Sequence, residues 1–181
     1  MKLRSLIGLA AALVALSASA HAQAAAPKLD PSWVSWKPDT KTATFALIAG
    51  YPAAKSPFNF NGFVDGELTF VVPAGATVVI NFVNEDGVPH SAEVISGTGP
   101  IPNMSVAPSV AIPRAYTRKA LEGMNQGEKD AMRFTAQPPG DYRIFCGVPG
   151  HGLSGMWVWF KVDSTATEAK LVPSPKKPAG S

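Results

Sequence analysis

Four soft donors constrain this chain more than any other feature. Cys146, His151 and Met156 fall within eleven residues, whereas His90 lies 56 positions before the cysteine. For these donors to act together, the fold must carry two distant stretches of backbone to one point. Cys146 is the only cysteine, so it makes no internal disulfide. It is a stray thiol, half of an intermolecular bridge, or a metal ligand, and its neighbours favour the ligand.

The third histidine, His21, lies in a leader. Lys2 and Arg4 precede an uncharged apolar run from Leu6 to Leu16, and Ala20-His21-Ala22 supplies a small-x-small cleavage pattern. The run is too short to cross roughly 30 Å of hydrocarbon, so residues 1–22 are expected to be a cleaved secretory signal peptide rather than a membrane anchor. Cutting there leaves 159 of the 181 residues, enough for one domain with a proper core. The leader removes two of the sixteen basic residues and none of the thirteen acidic ones, so the remaining charge is +1. There is no basic stripe, and no nucleic-acid partner is expected.

The body of the chain has a β pattern. Thr42–Ile48, Phe58–Phe63, Glu67–Val72, Thr77–Val83, His90–Ile95, Met132–Ala136, Asp141–Cys146 and Trp157–Val162 are short runs rich in Val, Ile, Thr and aromatics. Gly and Pro punctuate them, which predicts an all-β sandwich or barrel over residues 41–163. Residues 23–40 are expected to be an irregular arm held by Trp33 and Trp36. Residues 164–181, rich in Pro, Lys, Ser and Ala, are expected to be a disordered tail. Residues 96–130 break the rhythm: four prolines make the first half a loop, and Tyr116–Met124 suits a short helix. An insertion this long is expected to pack on the sandwich or flank the site.

Period-2 alternation puts Tyr142, Ile144 and Cys146 on one face of a strand, and Arg143 and Phe145 on the other. The thiolate then sits at a strand end on an inward face. Met156 opens the next strand, and the loop between them carries His151 and four glycines, which permit tight turning. One thiolate, two imidazoles and a thioether form the donor set of a mononuclear blue-copper site, and the thioether argues against zinc.

Cys-x4-His-x4-Met after an upstream Pro-His, preceded by Gly140-Asp-Tyr142-Arg-Ile144-Phe-Cys146, resembles the cupredoxins. The ligand spacing and the stretch Phe58-Asn59-Phe60-Asn61-Gly62 resemble the sulfocyanins and their relative rusticyanin within that superfamily. Plastocyanins and amicyanins have shorter Cys-to-His loops, and azurins a shorter His-to-Met gap. The resemblance covers residues 57–163 and implies a Greek-key β-sandwich with mixed strand pairing. It further implies that His90, Cys146 and His151 are equatorial ligands of one type 1 copper ion, with Met156 axial. The residue after the first histidine often hydrogen-bonds the thiolate in this superfamily, which makes Ser91 a candidate tuner of the site. Sulfocyanins are often membrane-tethered, whereas this leader has the pattern of a cleaved one. No family motif is assigned to residues 96–130.

The expected function is that of a periplasmic or secreted one-electron carrier, not an enzyme, with electrons leaving through the His151 edge to a transient cytochrome or copper-protein partner. A monomer that binds no small-molecule substrate is expected. The alternative is a copper chaperone or storage module that delivers Cu(I). Further copper centres would need histidines or a second cysteine that the chain without its leader does not have. Trp157 and Trp159 are expected to be packing residues, and Glu85, Asp86 and Glu93 solvated charges.

Overall fold

A computed structural model describes residues 28–52, 54 and 56–175; the leader lies outside them. Nine strands are present among the described residues: β1 (Val34–Lys37), β2 (Thr42–Ala49), β3 (Leu68–Pro73), β4 (Thr77–Asn84), β5 (Glu93–Ser96), β6 (Lys129–Thr135), β7 (Gly140–Phe145), β8 (Trp157–Asp163) and β9 (Lys170–Pro173). One sheet has the order β1-β2-β4-β6, the other β5-β7-β8-β3-β9. β2 pairs with β4 in parallel, and so does β3 with β8; the other pairings are antiparallel. This is the expected sandwich of two mixed sheets. Among the described residues no helix is long and apolar enough to cross a membrane.

The core follows from strict alternation. β2 buries Ala43, Phe45, Leu47 and Ala49, and its partner β4 buries Val78, Ile80, Phe82 and Asn84. Facing side chains from the second sheet meet them: the Phe45 ring lies 5.0 Å from Phe70, and Phe134 lies 5.7 Å from Phe160. Each such aromatic removes about 150–250 Å² from water, so burial of this kind dominates the stability of the sandwich.

β7 is buried on both faces. Tyr142, Ile144 and Cys146 enter the main core, whereas Phe145 joins Ile95 and Trp157 in a second cluster outside the sheet. Ile101 and Val106 cover that cluster, so the 96–130 insertion packs on the sandwich as expected. The Arg143 guanidinium pins its start by donating to the carbonyls of Ser96, Thr98 and Gly99 at 3.0, 2.8 and 2.9 Å.

Four local expectations differ from the structure. Phe58–Phe63 is not a strand: Asn61 and Gly62 take positive φ values of 53° and 86°, which turn the chain back on itself. Tyr116–Met124 is a series of turns rather than a helix, because bridges from Tyr116 to Glu93 and from Met124 to His90 tie its ends to the sheet side. The arm contains β1, an edge strand on β2. In the segment expected to be a disordered tail, Lys170–Pro173 forms β9 on the open edge of β3. Both edge strands are four residues long, too short to show a period in sequence.

Candidate metal centre

β7 delivers Cys146 to the end of the sandwich, and the ladder continues one rung further, with the Cys146 N–H donating to the Met156 carbonyl at 3.0 Å. The ends of the intervening loop are therefore tied together. Inside the loop, Ser154 N donates to Gly150 O, Gly155 N to Gly152 O, and Met156 N to His151 O, each at 3.0–3.1 Å. Gly155 has φ +94° and faces Asp65, where a Cβ would lie 2.7 Å from a carboxylate oxygen. A side chain there would both strain the backbone and displace Asp65.

His90 comes from the turn after β4, and its backbone is held on both sides. Its N–H donates to the Met124 carbonyl at 3.1 Å, and the Met124 N–H donates back at 2.7 Å. The buried Asn84 amide bonds the carbonyls of Val88 and Met124, at 2.8 and 2.7 Å, bracing the same turn. The end of the insertion thus fixes the backbone of His90.

These supports bring three donors together. The Nδ1 atoms of His90 and His151 lie 3.2 Å apart, and Cys146 Sγ lies 4.0 Å from the first and 3.5 Å from the second. A point equidistant from the three stands about 2.1 Å from each, close to ordinary metal–imidazole lengths of about 2.0–2.1 Å and metal–thiolate lengths of about 2.3 Å. The triangle fits a single ion. A ring committed through Nδ1 carries its proton on Nε2, and His90 Nε2 is buried without a hydrogen-bond partner, 3.6 Å from the Asp86 carboxylate.

The electrostatics keep both imidazoles neutral and ready to bind but oppose the thiolate. Burial, aided by the neighbouring His151, pushes His90 down to about 4, against the opposing pull of Asp86. Burial also lowers His151. It raises the Cys146 thiol, while the backbone N–H groups of Ser91 and Val148 act the other way. A metal ion is the partner that reverses this, since it favours thiolate over thiol.

Ser91 touches the sulfur through its backbone, whose N–H donates to Sγ at 3.3 Å. Its hydroxyl is engaged elsewhere, donating to the Ala120 carbonyl at 2.7 Å and accepting from Gly147 N at 3.0 Å, with Sγ 3.8 Å away. Met156 is fully buried in the main core, and its carbonyl accepts from the Cys146 N–H. His90 and Cys146 are sealed from solvent, and His151 is 9% exposed.

Sequence reasoning missed several neighbours. Phe58 packs its ring 4.6 Å from that of His151 and edge-on to His90 at 6.3 Å. The Asn59 and Asn61 side chains are buried in hydrogen bonds that shape the turn carrying Phe58. Glu93, expected to be a solvated charge, is wholly buried, because the insertion closes over its strand. The only signal in sequence was its position between the apolar residues Ala92 and Val94.

Comparison with known proteins gives a consistent result. A family model described as the sulfocyanin (SoxE) domain matches residues 32–172. Sulfocyanin of Sulfolobus acidocaldarius is 29% identical over 132 residues, which take in 70% of this chain and 66% of that protein's length. A solved structure of the copper protein rusticyanin aligns with a TM-score of 0.51 at 26% identity, over 73% of this chain and 89% of its own. Reduced rusticyanin aligns with a TM-score of 0.52 at 24% identity over 73% and 91%, a likeness of fold.

Proposed function

The chain belongs to the sulfocyanin family of cupredoxins, and from that premise we propose that it holds one type 1 copper ion and carries single electrons between redox proteins. The convergence of His90, Cys146 and His151 on one point carries this reading. Met156, buried at the closed end of the same loop, would supply the thioether of the proposed set. Bound there, copper would supply a one-electron Cu(II)/Cu(I) couple.

The chain's own residues do the rest. The hydrogen-bonded supports of His90 and Cys146 hold the donors still, which limits rearrangement between oxidation states. Phe58 and the main core exclude water from two of the three donors. His151 is the one donor of the three with exposed surface, which supports its edge as the route by which an electron enters or leaves. Val88, Leu121 and Leu153 are exposed apolar residues that suit a brief, small contact with a partner. Apart from His21 in the leader, the histidines and the cysteine are all taken up by the proposed donor set, which favours an electron carrier over an enzyme. The leader pattern supports export, and the reading locates the protein outside the cytoplasm with a cytochrome or copper-protein partner.

The test is the visible spectrum of the protein after Cu(II) is added and excess removed. A strong charge-transfer band, lost in Cys146→Ser and bleached by ascorbate, is the expected result. No band, with Cu(I) held tightly and passed to an acceptor apo-protein, would replace the carrier by the delivery module. In His151→Ala, electron exchange with a partner should fall at least tenfold while the metal-free fold keeps its melting temperature.

A further inference from the structure

Glu93 stands out among the ionisable groups that the metal site does not use. It opens β5, three residues beyond His90, and has no exposed surface. Its Oε2 accepts a hydrogen bond from the Ser105 hydroxyl at 3.1 Å, and its Oε1 accepts one from the Val106 N–H at 3.1 Å. The same carboxylate abuts the residue after the cysteine, since a Cβ built on Gly147 would lie 2.7 Å from Oε1. Ser105 closes the ring by donating its N–H to the Gly147 carbonyl at 2.7 Å. One carboxylate therefore joins the strand after the first histidine, the covering loop and the start of the Cys146 loop.

Among the described residues no lysine, arginine or histidine forms an ion pair with Glu93. Burying a carboxylate without a cation is costly, and the two neutral donors, Ser105 Oγ and Val106 N, recover only part of that cost. The missing positive charge is available next door, on the site reading given above. A divalent ion with one thiolate and two neutral imidazoles carries a net +1, which falls to zero on reduction. A fixed negative charge at that range favours the oxidised state over the reduced one.

We propose that Glu93 is a positioning residue with two roles: it anchors the 101–107 segment over the metal site, and it supplies the buried countercharge that lowers the site's reduction potential. The inference rests on the copper reading. Without a metal, burial raises the Cys146 thiol, with Glu93 adding a lesser push the same way, and burial raises Glu93 too; a cation in the site would oppose both shifts.

The test compares Glu93→Gln, Glu93→Asp and Glu93→Ala with the parent protein, each loaded with Cu(II) and titrated by voltammetry at neutral pH. Glu93→Gln, which keeps the shape and loses the charge, should retain the charge-transfer band and favour Cu(I) about tenfold more, about 59 mV for a one-electron couple. Glu93→Asp should restore a potential near the parent value. A Glu93→Gln potential within twofold of the parent overturns the countercharge. The anchor is read on metal-free protein by limited proteolysis. Cleavage within 99–110 should be at least fivefold faster in Glu93→Ala than in the parent, and equal rates overturn it. A parent protein without a charge-transfer band removes the copper reading and the countercharge with it, while the proteolysis result still decides the anchor.

Discussion

Burial pushes His90 down to about 4, whereas an imidazole in the unfolded chain takes up its proton near 6.5. Between those values the unfolded chain binds the proton and the folded one does not, so acid favours unfolding. The stability of the metal-free protein should be complete, as far as this group is concerned, above pH 6.5 and fall by about 3 kcal/mol by pH 4. Denaturant midpoints measured in pH steps check this, and a decline equally steep in His90→Asn would remove His90 as its cause. The convergence of His90, Cys146 and His151 was legible in sequence because histidines and cysteines are few and two of the three share one loop. Glu93 and Asp86 were not. A lone charge in a strand signals a solvated face unless something covers it, and the cover for Glu93 comes from Ser105 and Val106, twelve and thirteen residues further on.

The elements that show themselves in sequence are those with strict alternation, such as β2 and β4. The Phe58–Phe63 stretch has strand-like composition but acts as a bracket. Asn61 accepts from Ile48 N and donates to Ala46 O, both at 3.1 Å, while its own N–H bonds Ile48 O at 2.8 Å. A single side chain thus stands in for a neighbouring strand along β2. Asn61→Ala would leave a half-buried N–H and a half-buried carbonyl unsatisfied, and should destabilise the fold by about 2–5 kcal/mol. Equilibrium unfolding measures this, and a loss below 1 kcal/mol would mean that water replaces the amide. A second effect belongs to the same element. Phe58 rides on this bracket, so Asn61→Ala should also broaden the charge-transfer band as the His151 ring loses its backing.

Across the whole molecule, pairing order is what the sequence withholds. Nothing local specifies that β2 runs parallel to β4, or β3 to β8, because β2 and β4 are joined through β3 of the other sheet and β3 and β8 through four strands drawn from both sheets. β9 was hidden for a related reason, since its order depends on the open edge of β3 rather than on its own four residues. A chain ending at Asp163 should expose that edge, lower Tm by about 4–8 °C and self-associate. Its visible band should stay unchanged, because β3 carries no part of the site. Thermal melts and light scattering check this, and an unchanged Tm would show β9 to be ornamental.

The bond between the Cys146 N–H and the Met156 carbonyl makes the loop a closed unit, but His90 enters from 56 residues away, held by Met124 from the insertion. That separation sets a timetable. An unfolded chain can present a thiol and one imidazole from the Cys146 loop, yet the third corner of the triangle is absent until both sheets and the insertion have formed. Stray metal ions met early find only a weak pair of ligands, and the finished site becomes available in one step, when folding is complete.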